Sequence, residues 1–176
     1  MKKIIITVAA FFILLTSVQS QDNEVASIRK RYYTIKKEVA QLKDASYAGK
    51  YYCLEINDNP FGKFYPGVGK RTVKINIYYA LDEVEHLAHP VIITVVENRA
   101  GNMITYKEFL FDKQNLLFAF TKDAYNENIE QRLYCSDGKV LLYTENNQTK
   151  ETREEVQPIL DDAAYYLNSF FAVKQK

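Results

Sequence analysis

The chain has 176 residues, with 23 Lys+Arg against 22 Asp+Glu, a formal charge of +1, and 47% hydrophobic residues. That length suits one domain with a sizeable core. The near-neutral balance, with no local basic block, gives no electrostatic reason to bind nucleic acid.

Met1 to Ser20 has the composition of an export signal. Lys2 and Lys3 supply a positive start, Ile4 to Leu15 is an almost unbroken apolar run, and Val18-Gln19-Ser20 offers modest residues ahead of a cleavage point before Gln21. The apolar run is shorter than the roughly 20 residues of a spanning helix. The segment is therefore expected to be removed, leaving an exported chain with no transmembrane segment. No cysteine lies near residue 20, which excludes a lipobox. Residues 21–176 then form a single α+β domain of 156 residues.

Gln21 to Tyr47 carries an apolar stripe at Val25, Ile28, Tyr32, Ile35, Val39 and Leu42, in alternating steps of three and four. That is one face of an amphipathic helix, with Asp22 or Asn23 as its N-cap and Gly49 just past its end. Seven strand-like segments follow. Lys50 to Ile56 places Tyr52, Leu54 and Ile56 on one face and Tyr51 and Cys53 on the other. Arg71 to Tyr79 alternates from Val73 to Tyr79, and Pro90 to Glu97 is a β-branched run suited to burial on both faces.

Ile104 to Thr121 is a hairpin around Asp112-Lys113-Gln114-Asn115. Pairing Phe111 with Leu116 in regular register puts Phe109 opposite Phe118. Phe120 joins them, and one face becomes a slab of phenylalanine. Ile129 to Cys135 and Lys139 to Thr144 form a further hairpin around Asp137-Gly138. All connections suit a meandering antiparallel sheet. The last helix carries Val156, Ile159, Leu160, Ala163, Leu167, Phe170 and Phe171 at helical spacing, with Pro158 tolerated in its first turn. The expectation is a two-layer α+β domain: an N-terminal amphipathic helix, about seven strands, and a C-terminal helix packed on the sheet.

Four places carry candidate chemistry. Asn57 to Lys70 is rich in Gly and Pro, but it is no phosphate loop, because Phe64 stands at the first Gly position and Arg71 follows Lys70. Its aromatics Phe61, Phe64 and Tyr65 are instead candidates to grip a partner. Tyr51 and Tyr78, from the pairs Tyr51-Tyr52 and Tyr78-Tyr79, are further binding candidates, since tyrosine joins an apolar ring to a polar tip. Leu81 to His89 holds both histidines. On a helical turn Asp82, His86 and His89 would share a face and could ligate a divalent metal, with Glu85 as a further oxygen. Finally, Cys53 and Cys135 are the only cysteines, and export would allow a disulfide between them. No nucleophile motif is present, and no cofactor is expected.

The stretch Ile93 to Asp112, continuing through Leu116-Leu117-Phe118-Ala119-Phe120 and Glu130-Gln131-Arg132-Leu133-Tyr134-Cys135, resembles uncharacterised exported proteins of Bacteroidetes. The resemblance covers about residues 50–145, although Gln114 or Asn115 replaces the usual turn glycine. It implies one sheet and a place in the periplasm or on the surface of a Gram-negative cell, and it brings no activity with it. The resulting expectation is a non-catalytic binding or interaction module whose partner is an envelope protein or glycan. The competing readings are a hydrolase or metal-dependent enzyme centred on Asp82, His86 and His89, and a structural accessory subunit.

Overall fold

The computed structural model describes the backbone of residues 2–44, 46, 48–67, 69–84, 86–99, 102–124, 128–150 and 153–174. Side chains are described from Ser20 onward, Lys43, Met103 and Arg153 excepted. The order is α1 (Lys2–Asp44), β1 (Tyr52–Asp58), β2 (Phe64–Tyr65), β3 (Gly69–Leu81), β4 (Ala88–Arg99), β5 (Asn102–Asp112), β6 (Asn115–Asp123), β7 (Ile129–Ser136), β8 (Lys139–Glu145), β9 (Gln148–Thr149) and α2 (Arg153–Lys174). The seven expected strands are β1 and β3 to β8. To these the structure adds the two-residue strands β2 and β9. The sheet is antiparallel throughout, in the order β1-β3-β4-β5-β6-β7-β8-β9, with β2 pairing β3.

Both helical stripes are buried as their spacing requires. Val25, Ile28, Ile35 and Leu42 of α1 pack with Tyr78, Ile92, Leu110, Phe118 and Tyr134 on one face of the sheet. Val156, Ile159, Ala163 and Phe170 of α2 pack with Ile77, Ile93, Phe109, Phe111 and Leu133 on the other. The domain is therefore three-layered rather than two-layered, with the sheet between the helices. Adjacent Ile92 and Ile93 of β4 enter opposite cores, as a strand buried on both faces demands.

The second cover is needed because the phenylalanine slab is divided. Phe111 does pair with Leu116, but the register then shifts, so that Leu110 faces Phe118 and Phe109 faces Ala119. Leu117 is the extra residue of a β-bulge. A one-residue slip exchanges the faces of everything beyond it, so Phe118 and Phe120 turn toward α1 while Phe109 and Phe111 stay with α2. The turn is tight, and Lys113 takes the left-handed conformation, at φ 55°.

Smaller features of the helices have local causes. Residues 2–44 contain neither Gly nor Pro, so α1 runs unbroken through Asp22 and Asn23 instead of being capped there. Past its end the chain folds back over Leu42, and a Cβ on Gly49 would lie 2.4 Å from Leu42 Cδ2. Pro158 falls in the second turn of α2, where its missing N–H leaves the exposed Glu154 carbonyl without a helical partner.

The expected Cys53–Cys135 disulfide does not form. Cys53 lies on β1 toward α1 and Cys135 on β7 toward α2. Five inter-strand steps of about 4.8 Å separate their strands, far beyond the reach of an S–S bond. Burial pushes the Cys135 thiol up to about 11, which makes it a poor thiolate. Among the described residues, no helix is long and apolar enough to cross a membrane.

The unreduced, denatured protein should titrate two thiols, and a reductant should leave its melting temperature unchanged. One thiol or none, or a drop in melting temperature on reduction, would show that the chain reorganises to bridge them.

Candidate functional site

The loop between β1 and β3 is built around Asn59. Its side-chain amide donates to the carbonyls of Lys63 at 2.8 Å and Arg71 at 2.6 Å, while its Oδ1 accepts from the Lys63 N–H at 2.8 Å. Gly62, Gly67 and Gly69 take positive φ, which lets the chain reverse in a short span. The loop therefore has a fixed shape, and its aromatics do not fold back on the core. Phe61 is 98% exposed, Phe64 70% and Tyr65 39%, with exposed Lys63 and Lys70 beside them.

The tyrosine candidates divide. Tyr51 and Tyr78 do lie on the face away from Tyr52 and Tyr79, but α1 covers that face. They are only 4% and 3% exposed, and the Tyr51 hydroxyl donates to Glu38 at 2.5 Å. They are core residues rather than a binding surface. The exposed member is Tyr52, stacked on Tyr79 with ring centroids 5.4 Å apart.

The histidine segment is a turn between β3 and β4 rather than a helix. Asp82 Oδ1 accepts from the Val84 N–H at 2.8 Å, and the Asp82 N–H closes the turn on the Leu87 carbonyl at 2.8 Å. His86 sits exposed at φ 55°, whereas His89 has joined β4 opposite Ala80. The helical spacing that would align Asp82, His86 and His89 is thus lost, and Glu85 lies outside the described residues. Among those described, no three His, Cys, Asp or Glu side chains are grouped to hold a metal ion.

A polar cluster that sequence spacing does not reveal lies beneath α1. Glu108, in the middle of β5, is 1% exposed and points toward α1. It accepts hydrogen bonds from the hydroxyls of Tyr32 and Tyr106 and from Lys36 Nζ. A carboxylate buried this deeply must be paired, and three donors meet that need. Burial raises the proton affinity of both phenols, and their bonds to Glu108 raise it further.

Beside the cluster, sharing Tyr32, is a recess of about 150 Å³. Arg29, Tyr32 and Tyr33 of α1 form one side, and Phe118, Phe120, Arg132 and Tyr134 of β6 and β7 the other. The rings interlock, Tyr32 with Phe118 at 4.6 Å and Phe118 with Tyr134 at 5.0 Å between centroids. Each guanidinium lies over a ring at 5.1 Å, Arg29 over Tyr134 and Arg132 over Phe120. Arg29 Nε also donates to the Tyr134 hydroxyl at 3.0 Å. The wider trough of about 680 Å³ between β8 and α2 is lined by exposed Lys139, Thr149, Lys150 and Gln157 and by the buried Tyr143, whose hydroxyl already accepts from Gln131 at 2.8 Å.

Comparison with protein-family models, curated proteins and solved structures found no match to this chain.

Replacing Glu108 by Ala should cost about 3 kcal/mol in urea unfolding, the low end for a buried carboxylate because Lys36 is 38% exposed. Both phenols hold their protons more tightly in the folded chain than in the unfolded one. Their contribution is therefore complete below the ordinary tyrosine value near pH 10 and is lost as pH rises from there toward their raised folded values. The melting temperature should fall from about pH 10 upward, and Tyr32→Phe with Tyr106→Phe should flatten that fall. An equally steep fall in the double variant would assign it elsewhere.

Proposed function

We propose that the chain is an exported interaction module of the bacterial cell envelope, with no chemical step of its own, which grips an envelope partner through the aromatic loop between β1 and β3. The exposure of Phe61 and Phe64 on a loop pinned by Asn59 carries this reading. Leaving a phenylalanine in water forgoes roughly 1.5–3 kcal/mol of burial, a gain that a partner pocket recovers. A loop already fixed in shape loses little conformational freedom on docking. Lys63 and Lys70 beside the rings supply the polar rim of a protein contact and favour a partner with an acidic border.

Export is supported by the composition of the first twenty residues and by where α1 meets the sheet. Among the side chains described, from Ser20 on, its first contact is Gln21 on the Leu141 carbonyl and its first buried residue is Val25. Cleavage after Ser20 would leave both described cores intact. The absence of a chemical step is supported by the candidate groups themselves: Glu108 is held by three donors, and the Cys135 thiol is buried.

The protein recovered from its own envelope should have the mass of residues 21–176. A photo-cross-linker at Phe61 should capture one partner protein, and Phe61→Ser with Phe64→Ser should abolish that retention without lowering the melting temperature. A chain that keeps Met1, or a double variant retained like the parent, would overturn the reading.

A further inference from the structure

We infer that the recess between α1 and strands β6 and β7 is a binding site for a single aromatic ring bearing a carboxylate. Its size is the first reason. About 150 Å³ is the order of space that accommodates one benzene ring in an apolar cavity. It is too small for a nucleotide or an oligosaccharide.

The walls are the second reason. Tyr32, Phe118 and Tyr134 are locked against one another, so ring faces and edges are already in place for a planar guest. The donors are the third. Arg29 spends one N–H on the Tyr134 hydroxyl and has no ion pair among the described residues, so most of its five N–H groups remain for an acceptor. Arg132 is more committed, donating to Glu130 at 3.0 Å and to Asn147 at 2.9 Å. It nonetheless lines the recess, with its guanidinium 5.1 Å from the Phe120 centroid. Arg29 is thus the fork that receives a carboxylate in bidentate fashion, and Arg132 contributes charge beside it.

The surrounding charges favour an anion. Around the recess Lys36 pairs with Glu108, and Lys122 and Arg132 both pair with Glu130. Four cations against two carboxylates leave the recess positive. An uncharged ring would forgo that attraction, and a bare phosphate would forgo the ring walls.

The test uses the mature chain and benzoate as probe, followed by amide chemical shifts and calorimetry. Benzoate should bind saturably with a dissociation constant below about 1 mM and should shift the amides of Tyr32, Phe120 and Tyr134. Arg29→Met should weaken it at least about tenfold. Arg29→Lys, which keeps the charge but not the fork, should fall between, with an unchanged melting temperature confirming that the fold is intact. Benzyl alcohol and inorganic phosphate should each bind at least about tenfold more weakly than benzoate. No saturation by benzoate, equal binding of phosphate or benzyl alcohol, or an unaffected Arg29→Met would overturn the inference. Phe61→Ser with Phe64→Ser should leave benzoate binding intact, so this site and the loop can fail separately.

Discussion

Leu117, the unpaired residue of β6 between Leu116 and Phe118, shifts the alternation of its strand by one position. Leu116 lies with Phe111 against the α2 core, whereas Leu117, Phe118 and Phe120 lie against the α1 core. A regular hairpin would load nearly all its aromatic area onto one face and leave the other needing little cover. The bulge divides that area, and each half is then large enough to hold an amphipathic helix. Without it, α1 would lose Phe118, the ring that both Tyr32 and Tyr134 pack against. The three layers and the recess therefore share one origin.

Glu108 sits where this division makes it costly. Between Tyr106 and Leu110 on the α1 face, a carboxyl group 1% exposed is tolerable only if α1 brings donors to it. Tyr32 and Lys36, four residues apart, stand one turn apart on the helix and reach the carboxylate together. A slide of α1 by one turn would keep much of the apolar stripe but would strand the carboxylate. The polar cluster thus fixes the position of α1 more sharply than its hydrophobic contacts do. It also fixes Arg29, one turn further back, over Tyr134.

Periodicity made the helices and strands legible. Every residue of the two predicted stripes lies in or against a core, and the seven strands fall where alternation placed them. Register was not legible, because a bulge leaves both flanking patterns intact and changes only their phase. The same limit hid which tyrosines are buried. Strand alternation separates Tyr51 from Tyr52 and Tyr78 from Tyr79, but it does not show that α1 covers Tyr51 and Tyr78. The histidine turn misled for a local reason. Leu81 to His89 has helical spacing, yet Asp82 bonds its own backbone neighbourhood and His86 adopts a left-handed conformation, so a turn prevails. The exposed loop could be read because Gly, Pro and aromatics are contiguous there. The recess could not, since its residues come from positions 29–33, 118–120 and 132–134. The one available signal was Glu108, a carboxylate between Tyr106 and the apolar run Phe109 to Phe111.

The width of a helix explains why the recess lies beside α1. A helix with its side chains is about 10–12 Å across, whereas a strand of 12 residues such as β4 is roughly 40 Å long. One helix therefore covers a band across the sheet, and the flanks must be finished by side chains of the strands themselves. On the α2 face the flank is lined by polar groups already paired with one another: Thr121 donates to Gln131 at 2.8 Å, Gln131 donates to the Tyr143 hydroxyl at 2.8 Å, and Lys107 pairs with Asp162. On the α1 face the flank is finished by Tyr106, Phe120 and Arg132, with the Arg29 guanidinium reaching in from the helix. Saturated pairs have little left to offer a ligand, whereas stacked rings with spare N–H donors do. That contrast between two flanks of one sheet places ligand chemistry on the α1 side.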